Sequence, residues 1–438
     1  MSLALLVPRS AGEAYAAPLV CSAGASVVLH ATYGAYDDVT IAFSKDSIAE
    51  AYASHGRDYG LSVGADAQRA WRIDENGVLS TDAGDAKRDF MTLRAVLCND
   101  FTALGSTVER GTASGGWPAS IERDPTTGAI SRVEYLENGT LQDIQIFRYG
   151  TLQNGATVPT AWSVDNGQII TASREEVVPT SSRSAIPAWP ATAAMIRTGT
   201  LPLRAVGGTF ALDGRLSGVP ISCMIDTGAN NFAVSADLAG LLDPRDSSRA
   251  GTHLVGGNVM VRVGRVSALD VAGSTFVRPV VYVDGRLPAH TVLCGADYLA
   301  KVRLRLDIGA GRATITTGRG DECTSGCVPI GEAGVADGEA AIGGRNFNVL
   351  FDSGYAGAIR MPPQELAAIR YGDRRDNSGY CATNPVRVDL SLGGAPSSTW
   401  ACPMVVDSRI PIAIGAEAFS AYSSVVIDYP DHFLQFIK

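Results

Sequence analysis

The chain has 438 residues, 46% of them hydrophobic and only 18% charged, with 48 Gly and 8 Cys. At roughly 100–200 residues per domain, this length holds two to four domains, each able to bury a core, and the composition is too apolar for low-hydrophobicity disorder. A net charge of -9 without any Lys/Arg cluster argues against nucleic acid or an anionic membrane as the main partner. No apolar stretch approaches the ~18 residues of a membrane helix, so a soluble chain without a transmembrane segment is expected.

Residues 1–20 read as a leader, with an apolar piece at 3–7 that is short for a secretory core and no basic residues ahead of it. From 21 to 180 the pattern is strand, turn, strand. The runs 26–33, 39–43, 70–74, 130–135, 144–149 and 160–165 alternate apolar and polar residues, as half-buried antiparallel strands do. Turn signals separate them at 74–77 (DENG), 124–128, 137–139, 153–155 and 165–167. An antiparallel β-sheet domain is predicted here. GLSVG at 60–64 formally fits G-x-S-x-G, but it has neither a following helix pattern nor ordered Asp and His partners, and it is assigned no role. Residues 181–197 are rich in Ser and Pro and read as a linker.

Beyond the linker the chain repeats itself once, over 198–318 and 319–438. Each half has an apolar strand that ends in Asp, a hydroxyl residue and Gly: Asp226-Thr227-Gly228-Ala229 and Asp352-Ser353-Gly354-Tyr355. A helix-like segment follows each, at 236–242 and 363–370. A strand leading into Gly295 lies 69 residues after the first Asp, and one leading into Gly415 lies 63 after the second. Matching strands at 274–284 and 398–407 stand between these landmarks, and strands ending in Asp307 and Asp428 enter a closing hairpin. Four landmarks in one order make a duplication the expected architecture.

A carboxylate at the end of a buried apolar strand is costly unless it is hydrogen-bonded or lines a cleft, and this chain places one there twice. Taken alone, each Asp also reads as a turn carboxylate capping the following helix. If the halves pack about a pseudo-twofold axis, Asp226 and Asp352 meet, cannot both ionise, and share a proton. Such a pair supplies a base to activate water and an acid to protonate a carbonyl or leaving nitrogen. The hydroxyls of Thr227 and Ser353 can lock the two loops across the axis, and Gly228 and Gly354 admit backbone beside the carboxyls without a Cβ clash.

These residues resemble the retropepsin-like (clan AA) aspartic peptidases in a tandem, single-chain form. Asp226-Thr-Gly-Ala229 matches the active-site loop, 292–295 matches the apolar strand behind it, and Asp352-Ser-Gly-Tyr-Ala-Gly357 followed by Met361-Pro362 is similar to a bacterial branch. The resemblance covers about 240 residues, from Thr198 to the C-terminus. It implies two β-barrel repeats forming a bilobal unit, and two flap hairpins closing over an extended peptide. The flap candidates are 252–260, with Gly256, Gly257 and Asn258, and 376–382, with Gly379 and Tyr380. Tyr355 stands where the simplest members have a small residue, which makes the two half-sites unequal. Cys381 is a candidate to clip the base of the second flap to Cys402. Residues 71–77, 124–135 and 147–160 resemble the curved half-barrel of periplasmic lipoprotein-carrier-like domains.

Eight widely spaced Cys suit disulfides in an oxidising compartment, so a periplasmic or secreted location is expected. Cys323 and Cys327, without a second Cys/His pair, read as a local disulfide or two thiols and not as a metal site. The expected activity is an aspartic endopeptidase acting on peptide or protein substrates, with no cofactor, no metal and no required homodimer. The alternative is a catalytically inactive peptide- or lipoprotein-binding protein on the same scaffold.

Overall fold

The computed structural model describes residues 21–33, 37–54, 57–82, 85–102, 108–113, 117–137, 140–153, 155–164, 168–254, 257–318, 320, 323–331, 334–369, 381, 385–403 and 412–438. The fold is mostly β, with several sheets and a closed six-stranded barrel, as the alternation and turn signals predict. The chain divides into two compact units. The first ends at Tyr52 and resumes over Gly64–Arg69 and Gly84–Pro187; the second takes Ala53–Val63, Ala70–Ala83 and Ala188–Lys438.

In the first unit the strands Asp37–Phe43, Ser26–Tyr33, Gln168–Val178, Thr157–Val164, Thr140–Thr151, Ile130–Glu137, Trp117–Arg123, Val108–Ala113 and Phe101–Thr102 lie side by side in that order, every neighbouring pair antiparallel. Period-two alternation puts Leu29, Ile41, Ile121, Val133, Val158 and Trp162 into one buried cluster. A helix at Asp85–Leu97 was not among the sequence expectations. Phe90, Leu93, Val96 and Leu97 recur at steps of three and four and pack on that cluster. Cys98, just past the helix, is disulfide-bonded to Cys21.

In the second unit the two halves share a central pairing. Val219–Ile225 runs parallel to Thr291–Cys294, with Ile225 opposite Cys294, and Arg345–Asp352 runs parallel to Ala413–Gly415, with Phe351 opposite Ile414. A short strand lies antiparallel to each partner: Ala233–Ser235 in the first half, Ile359–Met361 in the second. The second half closes as a barrel of Asp337–Ile342, Arg345–Asp352, Ala413–Gly415, Ile359–Met361, Ala395–Pro403 and Val386–Leu392. The first half is an open path, extended at one end by the hairpin Ser248–Leu254 and Gly257–Arg265.

A third sheet interleaves the two halves, with Arg303–Asp307 of one antiparallel to Ser424–Asp428 of the other. One continuous core therefore holds Phe232, Phe276 and Tyr298 together with Phe351, Phe419 and Phe436. The helix-like segments are short turns, a 3₁₀ turn at Ala236–Leu241 and an α turn at Pro363–Ala367. Within the stretch read as a linker, Ala194–Met195 adds to the sheet beside Ser274–Val277. The early segments of this unit also dock on the first half: Tyr59 packs with Val263, Val280 and Tyr282, and its hydroxyl donates to Asp246 O at 2.6 Å.

Candidate active site

Asp226 directly follows the strand Val219–Ile225 and Asp352 ends the strand Arg345–Asp352, so the two parallel pairings deliver both acids to one place. Their carboxyls are hydrogen-bonded to each other, and the residues are only 8% and 9% exposed. Each carboxyl is seated by its own loop: Gly228 N donates to Asp226 Oδ1 at 2.8 Å and Tyr355 N to Asp352 Oδ1 at 3.0 Å. The glycines cross over. A Cβ on Gly228 would stand 2.8 Å from Asp352 Cγ, and one on Gly354 would overlap the Asp226 carboxyl, so each loop needs glycine because the opposite acid occupies that space.

Thr227 and Ser353 are fully buried and bonded across the junction. Thr227 N donates to Ser353 Oγ at 3.1 Å, and Ser353 N donates to Thr227 Oγ1 at 3.0 Å. The hydroxyls then reach backward, Thr227 Oγ1 to Phe351 O and Ser353 Oγ to Ile225 O at 2.8 Å. Each hydroxyl thus satisfies a buried amide and a buried carbonyl of the other half, which fixes the loops as one rigid pair. Ala229 O accepts from Ala296 N at 2.9 Å, and a side chain on Gly295 would strike Ala229, which explains glycine at the end of the supporting strand.

The pair is electrostatically unequal. Burial, reinforced by the Asp352 charge, holds Asp226 well above the ordinary carboxylate range. Burial also raises Asp352, but the Arg360 guanidinium and the hydrogen bond from Asp226 pull it back. Both acids are raised and face each other, so they titrate as one coupled pair.

Two residues beside the pair escaped the sequence reading. Arg360, 5% exposed, has its guanidinium carbon 5.5 Å from the ring centroid of Tyr355. Strand pairing places it where the first half has Ala233, since Arg360 faces Ala413 and Ala233 faces Leu293, both two residues ahead of the glycine. One additional residue between acid and strand in the second half hides this correspondence in a plain alignment. Tyr429 is the other: its hydroxyl donates to Thr227 O at 2.8 Å, and burial beside the acids holds it well above its usual value, so it stays a donor. Its position directly after Asp428, a landmark of the repeat, was an available signal.

Of the flap candidates, Gly257 and Asn258 start the second strand of a hairpin, paired with Leu254 and His253. Gly256, Gly379 and Tyr380 lie outside the described residues. Cys381 is bonded to Cys402, next to the Arg360 register position. Cys223–Cys294 joins the two central strands of the first half, and Cys323–Cys327 forms a local bridge. Ser62 of the G-x-S-x-G match sits mid-strand in Gly60–Ala65, without the strand-to-helix turn a nucleophile elbow needs.

No helix among the described residues is long and apolar enough to cross a membrane. No curated protein matches the chain. The family model described as gag-polyprotein putative aspartyl protease matches residues 212–301, a span that contains Asp226, Thr227, Gly228, Ala229 and Gly295. Residues 212–301 are thus similar to an aspartyl protease domain.

Proposed function

We propose that the chain is an aspartic-type endopeptidase whose two tandem repeats, 198–318 and 319–438, each contribute one carboxyl of an Asp226/Asp352 catalytic dyad. The observation that carries this reading is the mutual hydrogen bond of two buried carboxyls from matched strands, each held against the other half's glycine. Asp352, ionised, takes a proton from a bound water as the water oxygen attacks the peptide carbonyl carbon; Asp226 gives its proton to the carbonyl oxygen. Collapse of the resulting diol breaks the C–N bond, and the leaving nitrogen receives a proton from the pair. The hairpin 248–265 and the segment around Gly379 would act as the flaps, Tyr355 would narrow the second half-site, and no homodimer is needed. The four disulfides favour an oxidising compartment, periplasmic or extracellular. The antiparallel sheet of the first unit suits the lipoprotein-carrier-like reading.

Digestion of a denatured protein from about pH 3 to 7 in ¹⁸O-water tests the scheme. Internal cleavages with one ¹⁸O in each new carboxyl, and no trapped acyl-enzyme, are expected. Intact substrate at every pH would leave a binding role on the same scaffold. Arg360 adds a sharper expectation. Because its guanidinium lowers Asp352, Arg360→Met should move the acid limb of the kcat/KM profile to higher pH, while Arg360→Lys holds it in place. An unmoved limb in Arg360→Met would remove Arg360 from the electrostatics of the pair.

A further inference from the structure

The turn Asp74-Glu-Asn-Gly77 lies far ahead of the acids in sequence, yet it packs inside the second unit against the end of the first active-site loop. Asp74 shapes it: Oδ1 accepts from Asn76 N and Val78 N, both at 2.9 Å. The Asn76 amide then behaves like a strand partner of Val280. Its Nδ2 donates to Val280 O at 2.9 Å, and its Oδ1 accepts from Val280 N at 2.9 Å and from Thr192 Oγ1 at 2.7 Å. The same Nδ2 donates to Asp297 Oδ2 at 2.8 Å, the oxygen that also accepts from Phe232 N at 2.7 Å. Asp297 N in turn donates to Asn230 O at 3.0 Å. The side chains of the loop are taken up as well. Asn231 Oδ1 accepts from Arg72 Nη2 at 3.2 Å, Asn230 faces Arg72 Nη1 and Gly334 O, and the Tyr282 hydroxyl donates to Glu75.

Resting on the peptidase reading, we propose that Asn76 is a positioning residue for the catalytic loop: through Asp297 it holds residues 230–232, and hence Asp226, in the geometry of the dyad. The turn is therefore a working part of the first repeat, supplied from the N-terminal half of the chain. All four hydrogen-bonding capacities of a buried amide are used at once, and removing the amide strands Val280, Thr192 and Asp297 together. The groups facing it are Asp74, Glu75 and Asp297 with Arg72 and Tyr282. Burial, then the Asp74 charge, raises Asp297, and burial raises Glu75, so the stability these two acids contribute is fully present below the ordinary carboxylate range and is lost as pH rises through their raised values, while the donations from Asn76 and Phe232 to Asp297 Oδ2 persist in the charged form.

The test uses the full chain and two readouts, peptide hydrolysis and amide hydrogen exchange. Asn76→Ala is expected to lower kcat about tenfold with KM within about twofold, and to speed exchange over 226–232. Gly77→Ala should do the same with Asn76 retained, because a Cβ there, at φ 78°, would stand 2.5 Å from the Ala191 Cβ. Asn76→Asp should approach wild type at the acid end, where a protonated carboxyl can still donate to Asp297, and match Asn76→Ala near neutrality. Faster exchange at 226–232 supports the proposal even in a chain that hydrolyses no peptide, an outcome that would sink only the peptidase reading. Exchange that rises over 70–82 alone, with 226–232 and kcat unchanged, overturns it.

Discussion

Asp226→Asn is expected to abolish peptide hydrolysis, lowering kcat by a factor on the order of 1000 or more while the protein remains folded. The amide is the shape of the acid and can still accept from Gly228 N, which now reaches Asp226 Oδ1 at 2.8 Å. It cannot surrender a proton to a carbonyl oxygen, and it leaves Asp352 without its proton-sharing partner. Stability separates loss of chemistry from loss of fold. Since the Asp226 value is raised in the folded state, its contribution to stability is complete below the ordinary carboxylate range and is lost as pH rises through the raised value. Asparagine never ionises, so the variant should melt with wild type at strongly acid pH and above wild type near neutrality. Unchanged cleavage in Asp226→Asn would remove the acid from the mechanism, and an acid-pH melt far below wild type would make the kinetic loss uninformative. Asp352→Asn serves as the companion.

The second large effect is expected from Thr227→Val, an almost isosteric change. The lost hydroxyl now accepts from Ser353 N and donates to Phe351 O, both buried. Leaving one donor and one acceptor orphaned costs roughly 2–6 kcal/mol at about 1–3 kcal/mol per group. In a unit this large that corresponds to a Tm lower by about 10 °C at the middle of that range. Ser353→Ala removes the reciprocal pair of bonds, from Thr227 N and to Ile225 O. Because the four bonds form one network, the double variant should cost less than the sum of the singles. Additive losses in a double-mutant cycle, or a Tm within about 2 °C of wild type for Thr227→Val, would show that the loops are held by packing alone.

Much of the site was legible because short-range patterns carry it. An apolar run ending in Asp-Thr-Gly or Asp-Ser-Gly marks a strand that stops at a tight loop. Meeting the same unit twice, with a glycine-ended strand at a similar distance behind each, points to two acids in matched positions. The helix Asp85–Leu97 carried its own signal in the steps from Phe90 to Leu93 to Val96, a spacing that period-two alternation does not register. Arg360 carried almost none: its role comes from facing Ala413 across a strand pair, and one extra residue in the second half shifts it out of line with Ala233. Asn76 carried less still. Asp-Glu-Asn-Gly announces a turn, and nothing local distinguishes a turn that faces water from one that grips the backbone of Val280.

What this sequence determined unaided was the set of strand ends, turns and acids, because hydrophobic period, glycine and the cost of burying a carboxylate act within a few residues of chain. Only the tertiary structure decided that the carboxyls of Asp226 and Asp352 meet, that Arg360 lies near Asp352, and that the turn Asp74–Gly77 bonds to Val280 and Asp297. Those arrangements depend on which buried polar groups find one another in the folded unit, several of them across more than a hundred residues of chain. Desolvation forces each such group to take a partner, and the packing of the whole unit selects which one it takes.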